Sequence, residues 1–156
     1  MAVLKSKRSE SKMEFVEVAR RLEAKVLSLC IRSPKRLTFF LTSEVMRLAS
    51  AVHNEVRSAN NTYPRNRHEA QLRRDHLTEG NNALMNLIPK LALLYDCLLE
   101  NPDCQKWCDG AISEIADLIS QEKALIRATK KADADRYRHL PTGDLHFPGD
   151  EEPPEE

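Results

Sequence analysis

The chain has 156 residues with 24 basic and 24 acidic side chains, so its formal net charge at pH 7 is zero. This length suits one domain with a single core, and an aromatic content of 5% with only four glycines favours a helical bundle over a β-sandwich. No apolar run approaches the length of a membrane span, and "MAVLKSKRSESK" contains no signal-peptide core, so we expect a cytoplasmic protein without a membrane partner.

The charge is unevenly distributed along the chain. Residues 1–90 contain 17 Lys and Arg against 9 Asp and Glu, an excess of eight positive charges. Residues 91–156 contain 7 against 15, an equal excess of negative charge. Much of the negative charge lies in "PTGDLHFPGDEEPPEE", which has six acidic residues and no Lys or Arg. A net charge of zero therefore does not exclude a basic working surface.

The apolar spacing predicts two helices in the first part of the chain. Residues 1–11 are basic and Ser-rich and are expected to form a flexible arm. A first helix is expected over residues 12–32, and Pro34 in "RSPK" ends it. A second helix is expected over residues 35–60, and the Asn-rich turn "ANNTYPRNR" follows it. The expected core positions are Phe15, Val18, Leu22, Val26 and Leu29 in the first helix and Leu37, Leu41, Val45, Leu48, Val52 and Val56 in the second.

Two further helices are predicted after this turn. The third runs over residues 68–99, where Pro89 is expected to kink or divide it. The fourth runs over residues 103–131, with Asp103 as its N-cap. The expected core positions are Leu77, Leu84, Leu87, Leu91, Leu94 and Leu98 in the third helix and Trp107, Ala111, Ile115, Leu118 and Leu125 in the fourth. Residues 132–156 form an acidic, Pro-rich tail that we expect to be disordered. The fold prediction is all-α, an up-down antiparallel four-helix bundle.

The second helix has an unusual polar side. At 100° per residue from Leu37, six residues form one strip facing away from the core, without a carboxylate on it. These residues are Arg36, Ser43, Arg47, Ser50, Asn54 and Arg57. A solvated helix face is the simpler interpretation, but such faces normally mix positive and negative charges.

Basic residues continue beyond this strip. The eight basic residues between Pro34 and Asp75 are Lys35, Arg36, Arg47, Arg57, Arg65, Arg67, Arg73 and Arg74. Because arginine suits bidentate phosphate contacts and base stacking, this set predicts a nucleic-acid-binding surface, with RNA or DNA as the anion. Phe39 and Met46 are also expected to point outward, and they predict contact with another subunit or partner.

The remaining motifs bear on two kinds of chemistry, metal binding and RNA cleavage. Cys30, Cys97, Cys104 and Cys108 contain no CxxC pair and have no nearby histidine, so buried reduced thiols are favoured over a metal site, and no cofactor is expected. "RLASAVH" has the Arg-to-His spacing of HEPN-type bundle ribonucleases. However, Arg47 and His53 lie about 120° apart on a helix and would not converge without a second subunit.

The segments "SPKRLTFFLTSEVMRLASAVHNEVRSANNTYP" and "LRRDHLTEGNNALMNLIPKLALL" together resemble the Avd-like four-helix-bundle proteins, accessory to bacterial diversity-generating retroelements. The shared pattern is Pro-Lys-Arg opening the second helix, Ala-Asn closing it before an aromatic-Pro turn, and a Leu-rich third helix. The resemblance covers residues 5–130. Proteins encoded in ribosomal RNA intervening sequences share this fold.

The resemblance implies a homopentameric barrel without catalytic activity. Such a barrel binds a reverse transcriptase, the template RNA and its cDNA, and so supports cDNA synthesis for mutagenic retrohoming. By position, Lys35, Arg36, Arg47 and Arg57 lie on the helix that contributes basic surface in the family. The chain departs from the family in its neutral total charge and acidic tail. A protein–protein adaptor without a nucleic-acid role and a HEPN-type ribonuclease remain as alternatives.

Overall fold

The computed structural model describes residues 2–142, with side chains from Met13 onward. This part of the chain is all-α, and its long helices pack as a helical bundle. A 3-10 turn (Lys35–Leu37) and a π-helical turn (Thr38–Thr42) lead into the second helix. The α-helices are α1 (Ala2–Arg32), α2 (Ser43–Asn61), α3 (Arg67–Leu99), α4 (Pro102–Gln105) and α5 (Cys108–Arg136).

The first helix begins ten residues earlier than predicted, at Ala2 rather than residue 12. Residues 2–11, which the sequence assigned to a flexible arm, contain no proline or glycine that would end a helix. At the other end, the Ser33 hydroxyl donates to the Leu29 carbonyl at 2.7 Å, and Pro34 follows. The helix therefore ends where "RSPK" predicted.

The second helical segment begins at Lys35, but its first turns are not α-helical. The Ser43 N–H donates to the Thr38 carbonyl, which is the i→i+5 bond of a π-helix. A π turn contains more residues than an α turn, so each residue rotates less about the helix axis. The constant 100° that placed Arg36 and Arg57 on one continuous strip therefore does not hold across this segment.

The third helix is fixed at its start by reciprocal hydrogen bonds. The Asn66 side chain accepts from the Glu69 N–H at 2.9 Å, and the Glu69 carboxylate accepts from the Arg65 N–H at 2.6 Å. These bonds satisfy backbone donors that a helix start leaves unpaired. Pro89 lies inside α3 without dividing it, because the helix continues to Leu99.

The fourth predicted helix is two elements. Asn101 caps the single turn of α4 by accepting from the Asp103 N–H at 3.0 Å, so the predicted N-cap at Asp103 was wrong. The long helix α5 then continues to Arg136, five residues beyond the predicted end. Residues 143–156 of the predicted acidic tail lie outside the described residues.

The four long helices enclose one core. α1 packs against α2 and α5, and α3 packs against the same two helices. The core positions predicted for the first three helices are confirmed as buried, except for the half-buried Leu37. Of the positions predicted for the fourth helix, Ile115 and Leu118 are buried as expected, whereas Trp107, Ala111 and Leu125 are half-buried. Ile126 is buried in place of Leu125.

The third helix is also apolar enough to cross a membrane by length and composition, with a mean hydropathy of 1.2 over an 18-residue window. This differs from the expectation that no apolar run approaches that length. About 33% of that window is buried, and the leucines of its inner face pack against α2 and α5.

Candidate nucleic-acid interface

The second helical segment, from the 3-10 turn at Lys35 to the end of α2, presents the first group of predicted site residues. Lys35, Arg36, Arg47 and Arg57 are all exposed to solvent. The Arg47 guanidinium donates two hydrogen bonds to the Glu44 carboxylate, at 2.8 and 2.7 Å, and this pairing lowers the pKa of Glu44. The charge of one strip residue is therefore paired with a neighbouring carboxylate, which the sequence had not predicted. An exposed pair is weak, so a phosphate can replace the carboxylate at Arg47.

One flank of the strip faces α1 instead of solvent. The Ser50 hydroxyl donates to the Glu23 carboxylate at 3.1 Å, and His53 Nδ1 lies 2.6 Å from the other oxygen of the same carboxylate. Arg47 and His53 thus engage different carboxylates, on different helices. The pair required by the ribonuclease alternative is not assembled within one chain.

The two predicted interface residues have different surroundings. Phe39 is 86% exposed and lies edge-on to Phe40, which is 80% exposed, with 5.2 Å between the ring centroids. Met46 is half-buried and packs against the core, so it does not point outward as the sequence predicted. Because of the π-helical turn before α2, the angle between Met46 and Leu37 around the helix axis differs from the angle in a straight α-helix. Phe40 replaces Met46 as the second exposed apolar group.

Arg73 is buried, and its contacts belong to the fold. Its Nε donates to the Asp133 carboxylate at 2.6 Å, and its Nη1 donates to the Ala59 carbonyl at 2.8 Å. One side chain thus connects α3 to α5 and to the last turn of α2. A guanidinium held in this way is not available to a phosphate, so Arg73 is removed from the predicted contact set.

The remaining predicted arginines lie at the end of the bundle opposite Lys35 and Arg36. Arg65 and Arg67 flank the start of α3, and Arg74 lies two turns further along that helix. The 19 residues of α2 separate the two ends by about 28 Å, at 1.5 Å per residue. The structure therefore does not bring the eight predicted residues together as one surface.

At this second end, α3 and α5 form a groove with positively charged walls. Two cavities of about 290 and 420 Å³ share Arg74, Lys130 and Ala134 in their linings, so they form one continuous depression. We call it the α3–α5 groove. The basic residues lining it are Arg67, Arg74, Lys123, Arg127, Lys130, Lys131 and Arg138.

Most of these cations are not neutralised within the part of the chain that the structure describes. Arg138 pairs with Asp135 at 3.0 Å, and the Arg67 side chain donates to the Leu140 carbonyl at 3.1 Å. The carboxylate of Asp133, which also lines the groove, is already bound to Arg73. Among residues 13–142, Arg138 is the one groove cation with a carboxylate within 4 Å, and five of the other six also have no side-chain hydrogen bond: Arg74, Lys123, Arg127, Lys130 and Lys131. The groove is therefore a concave surface of concentrated positive charge.

The sequence prediction missed the α5 wall of this groove. Lys123, Arg127, Lys130 and Lys131 recur at helical spacing on one face, and this signal was present in the sequence. Residues 123–138 contain six basic and two acidic residues. The net charge of residues 91–156 is negative because most acidic residues of this half lie outside residues 123–138. A count over the whole half therefore does not show the basic stretch.

The core of α5 contains a second residue that was not predicted. Glu122 is fully buried, and neither of its carboxylate oxygens has a hydrogen-bond partner among the described residues. Leu118, Ile119 and Ile126, one turn away on the same helix, are also buried. Burial raises the pKa of Glu122 to about 8, so this side chain is mostly protonated and neutral at pH 7.

The four cysteines are free thiols. Cys104 and Cys108 are buried, and Cys30 and Cys97 are half-buried. Burial raises the pKa of Cys30 to about 11, which keeps its thiol protonated. Within residues 13–142, no three His, Cys, Asp or Glu side chains are grouped closely enough to hold a metal ion.

Comparison with known proteins adds no family to this description. The chain matches no protein-family model, no curated protein sequence and no solved structure. The assignment of a function therefore depends on the α3–α5 groove, the exposed phenylalanines and the resemblance described above.

Proposed function

We propose that this protein is a non-enzymatic cytoplasmic accessory protein that binds single-stranded nucleic acid along the α3–α5 groove. The observation that carries the proposal is the set of five groove cations whose side chains have neither a carboxylate nor a hydrogen-bond partner in residues 13–142. A polyanion neutralises such a groove and releases its own counterions, which is the main driving force for nucleic-acid binding. The groove follows the helix axes, so it suits a strand that lies along the bundle.

The resemblance to the Avd-like proteins extends this proposal to a biological setting. We infer an up-down antiparallel four-helix bundle, supported by the pairs Lys25–Glu114 and Arg73–Asp133, which join early residues of one helix to late residues of its neighbour. The inferred partners are a reverse transcriptase and its template RNA. The inferred activity is support of cDNA synthesis in a diversity-generating retroelement.

The exposed phenylalanines support contact with a protein at the other end of the bundle. Cys30 Sγ donates to the Thr42 carbonyl at 3.6 Å, which places the end of α1 beside the π-helical turn. Ile31, Phe39 and Phe40 at this end are each at least 73% exposed. Such neighbouring apolar side chains suit another subunit of a homo-oligomer, a pentamer by resemblance, or the reverse transcriptase. They are also the observation that favours the adaptor alternative.

The experiment that tests the proposal compares two variants with equal loss of charge. The groove variant combines Arg74→Gln, Arg127→Gln and Lys130→Gln, whose parent residues line the α3–α5 groove. The control combines Arg36→Gln, Arg47→Gln and Arg57→Gln on the outer face of the second helical segment. Binding to a fluorescent single-stranded RNA is measured by anisotropy at 0.15 M salt.

We expect the groove variant to bind about 50-fold more weakly than wild type. Each phosphate contact contributes about 0.7 to the slope of log affinity against log salt, so three lost contacts cost about 1.7 log units at this salt. The control should lose much less. Equal losses in the two variants would contradict the assignment to the groove, and RNA cleavage by the wild type would support the ribonuclease alternative instead.

A further inference from the structure

The last described residues of the chain are attached to one end of the α3–α5 groove. The Arg67 N–H donates to the Pro141 carbonyl at 2.8 Å, and the Arg67 side chain donates to the Leu140 carbonyl. Arg67 itself lines the groove, together with Tyr137 and Arg138. Residues that follow Thr142 therefore leave the described part of the protein beside this basic surface.

The sequence that follows has the opposite charge. Residues 143–156 contain six carboxylates and no Lys or Arg. The groove contains five cations for whose side chains residues 13–142 provide neither a carboxylate nor a hydrogen-bond partner. The acidic segment therefore has nearly as many carboxylates as the groove has unpaired cations, and both belong to the same chain.

The length of the acidic segment is sufficient for it to follow the whole groove. From Arg138 back to Lys123 the groove wall extends over 15 residue steps of α5 and the turn after it, or about 22 Å at 1.5 Å per step. Fourteen extended residues span up to about 45 Å. The segment can therefore reach the far end of the groove, and its covalent attachment keeps its effective concentration near the millimolar range.

We propose that residues 143–156 bind in the α3–α5 groove of their own chain and compete there with the anionic ligand. A strand of nucleic acid must displace this segment before it reaches the groove cations. Docking of the segment does not depend on the proposed function, whereas its effect as a competitor does. If the groove is free in about one molecule in ten, the apparent affinity for RNA is lowered about ten-fold.

The first part of the test detects docking in the full chain without RNA. A carbodiimide joins a carboxylate to a lysine amine only where the two are in contact, and mass spectrometry of the monomer identifies the linked residues. We expect links from residues 143–156 to Lys123, Lys130 or Lys131, and their loss at 1 M NaCl. Lys35 and Lys106 are exposed controls outside the groove. Equal linkage to these controls, or linkage found only between two chains, would overturn the proposal.

The second part measures competition with the same RNA. In a full-length variant, Asn or Gln replaces all six acidic residues: Asp144, Asp150, Glu151, Glu152, Glu155 and Glu156. Its affinity for single-stranded RNA should exceed that of wild type about ten-fold at 0.15 M salt. RNA binding with equal affinity by both proteins would overturn the competition. Groove-specific links without RNA binding by either protein would support docking and count against the proposed nucleic-acid function.

Discussion

The buried carboxyl of Glu122 gives this protein a pH dependence that can be isolated with one substitution. Glu122 has no exposed surface and no hydrogen-bond partner among the described residues. Burial raises its pKa from 4.5 to about 8, and no charged neighbour contributes to the change. Glu122→Gln keeps the size and polarity of the side chain but removes its ionisation.

The sign and size of the effect follow from proton linkage. Below pH 4.5 the carboxyl is protonated in both the folded and the unfolded chain. Between pH 4.5 and about 8 the unfolded chain loses this proton while the folded protein keeps it, so stability falls as the pH rises. Each pH unit in this window costs about 1.4 kcal/mol, or about 4 kcal/mol from pH 5 to pH 8. This is a large part of the 5–15 kcal/mol that stabilises a typical domain.

The assay is urea unfolding of wild type and Glu122→Gln at pH 5, 6, 7 and 8, followed by circular dichroism. The free energy of unfolding of the variant, relative to wild type, should increase by about 4 kcal/mol across this range. The two proteins differ at no other titratable residue, so every other contribution cancels in the difference. If the difference in free energy of unfolding between the two proteins stays constant from pH 5 to pH 8, the carboxyl of Glu122 is not buried without a partner.

Three further predictions concern the fold and the exposed apolar end. Arg73→Gln should lower the free energy of unfolding by about 3 kcal/mol, because it leaves the Asp133 carboxylate without its partner; a loss below about 1 kcal/mol in urea unfolding would contradict this role. Gly80→Ala should raise it by about 0.5–1 kcal/mol through helix propensity, since a Cβ there would lie 3.5 Å from its nearest neighbours on α2, an ordinary contact; a lower melting temperature would count against it. Replacement of Phe39 and Phe40 by Ser should reduce the molecular mass measured by light scattering without lowering the melting temperature, and an unchanged oligomer would exclude this end as the interface.

The core was largely predictable because leucine and valine recur at helical spacing in the first three helices. The prediction was less accurate in α5, where the series that contained Leu118 was continued to Leu125. The buried positions after Leu118 are instead Ile119, Glu122 and Ile126. An acidic residue at a core position interrupts the apolar pattern, so hydrophobic periodicity alone could not place it.

The candidate site was predictable only in part, for two physical reasons. Arg73 looks like its neighbour Arg74 in the sequence, and its burial depends on Asp133, sixty residues away. The π-helical turn at Thr38–Thr42 changes the angular relation between Arg36 and α2, and a constant helical period contains no such irregularity. The groove itself needs two helices, and only the arginines of its α3 wall belonged to the predicted set.

The central claim, that five groove cations contact phosphates, is tested most directly by the salt dependence of RNA binding. Titrations of single-stranded RNA between 0.05 and 0.3 M salt give the slope of log affinity against log salt for each protein. In the variant whose six acidic residues after Thr142 are replaced, no carboxylate of that segment competes for the groove, so five phosphate contacts predict a slope of about −3.5. Adding the loss of Arg74, Arg127 and Lys130 to this variant predicts about −1.4. Equal slopes with and without these three cations, or no binding to RNA at low salt, would contradict the claim.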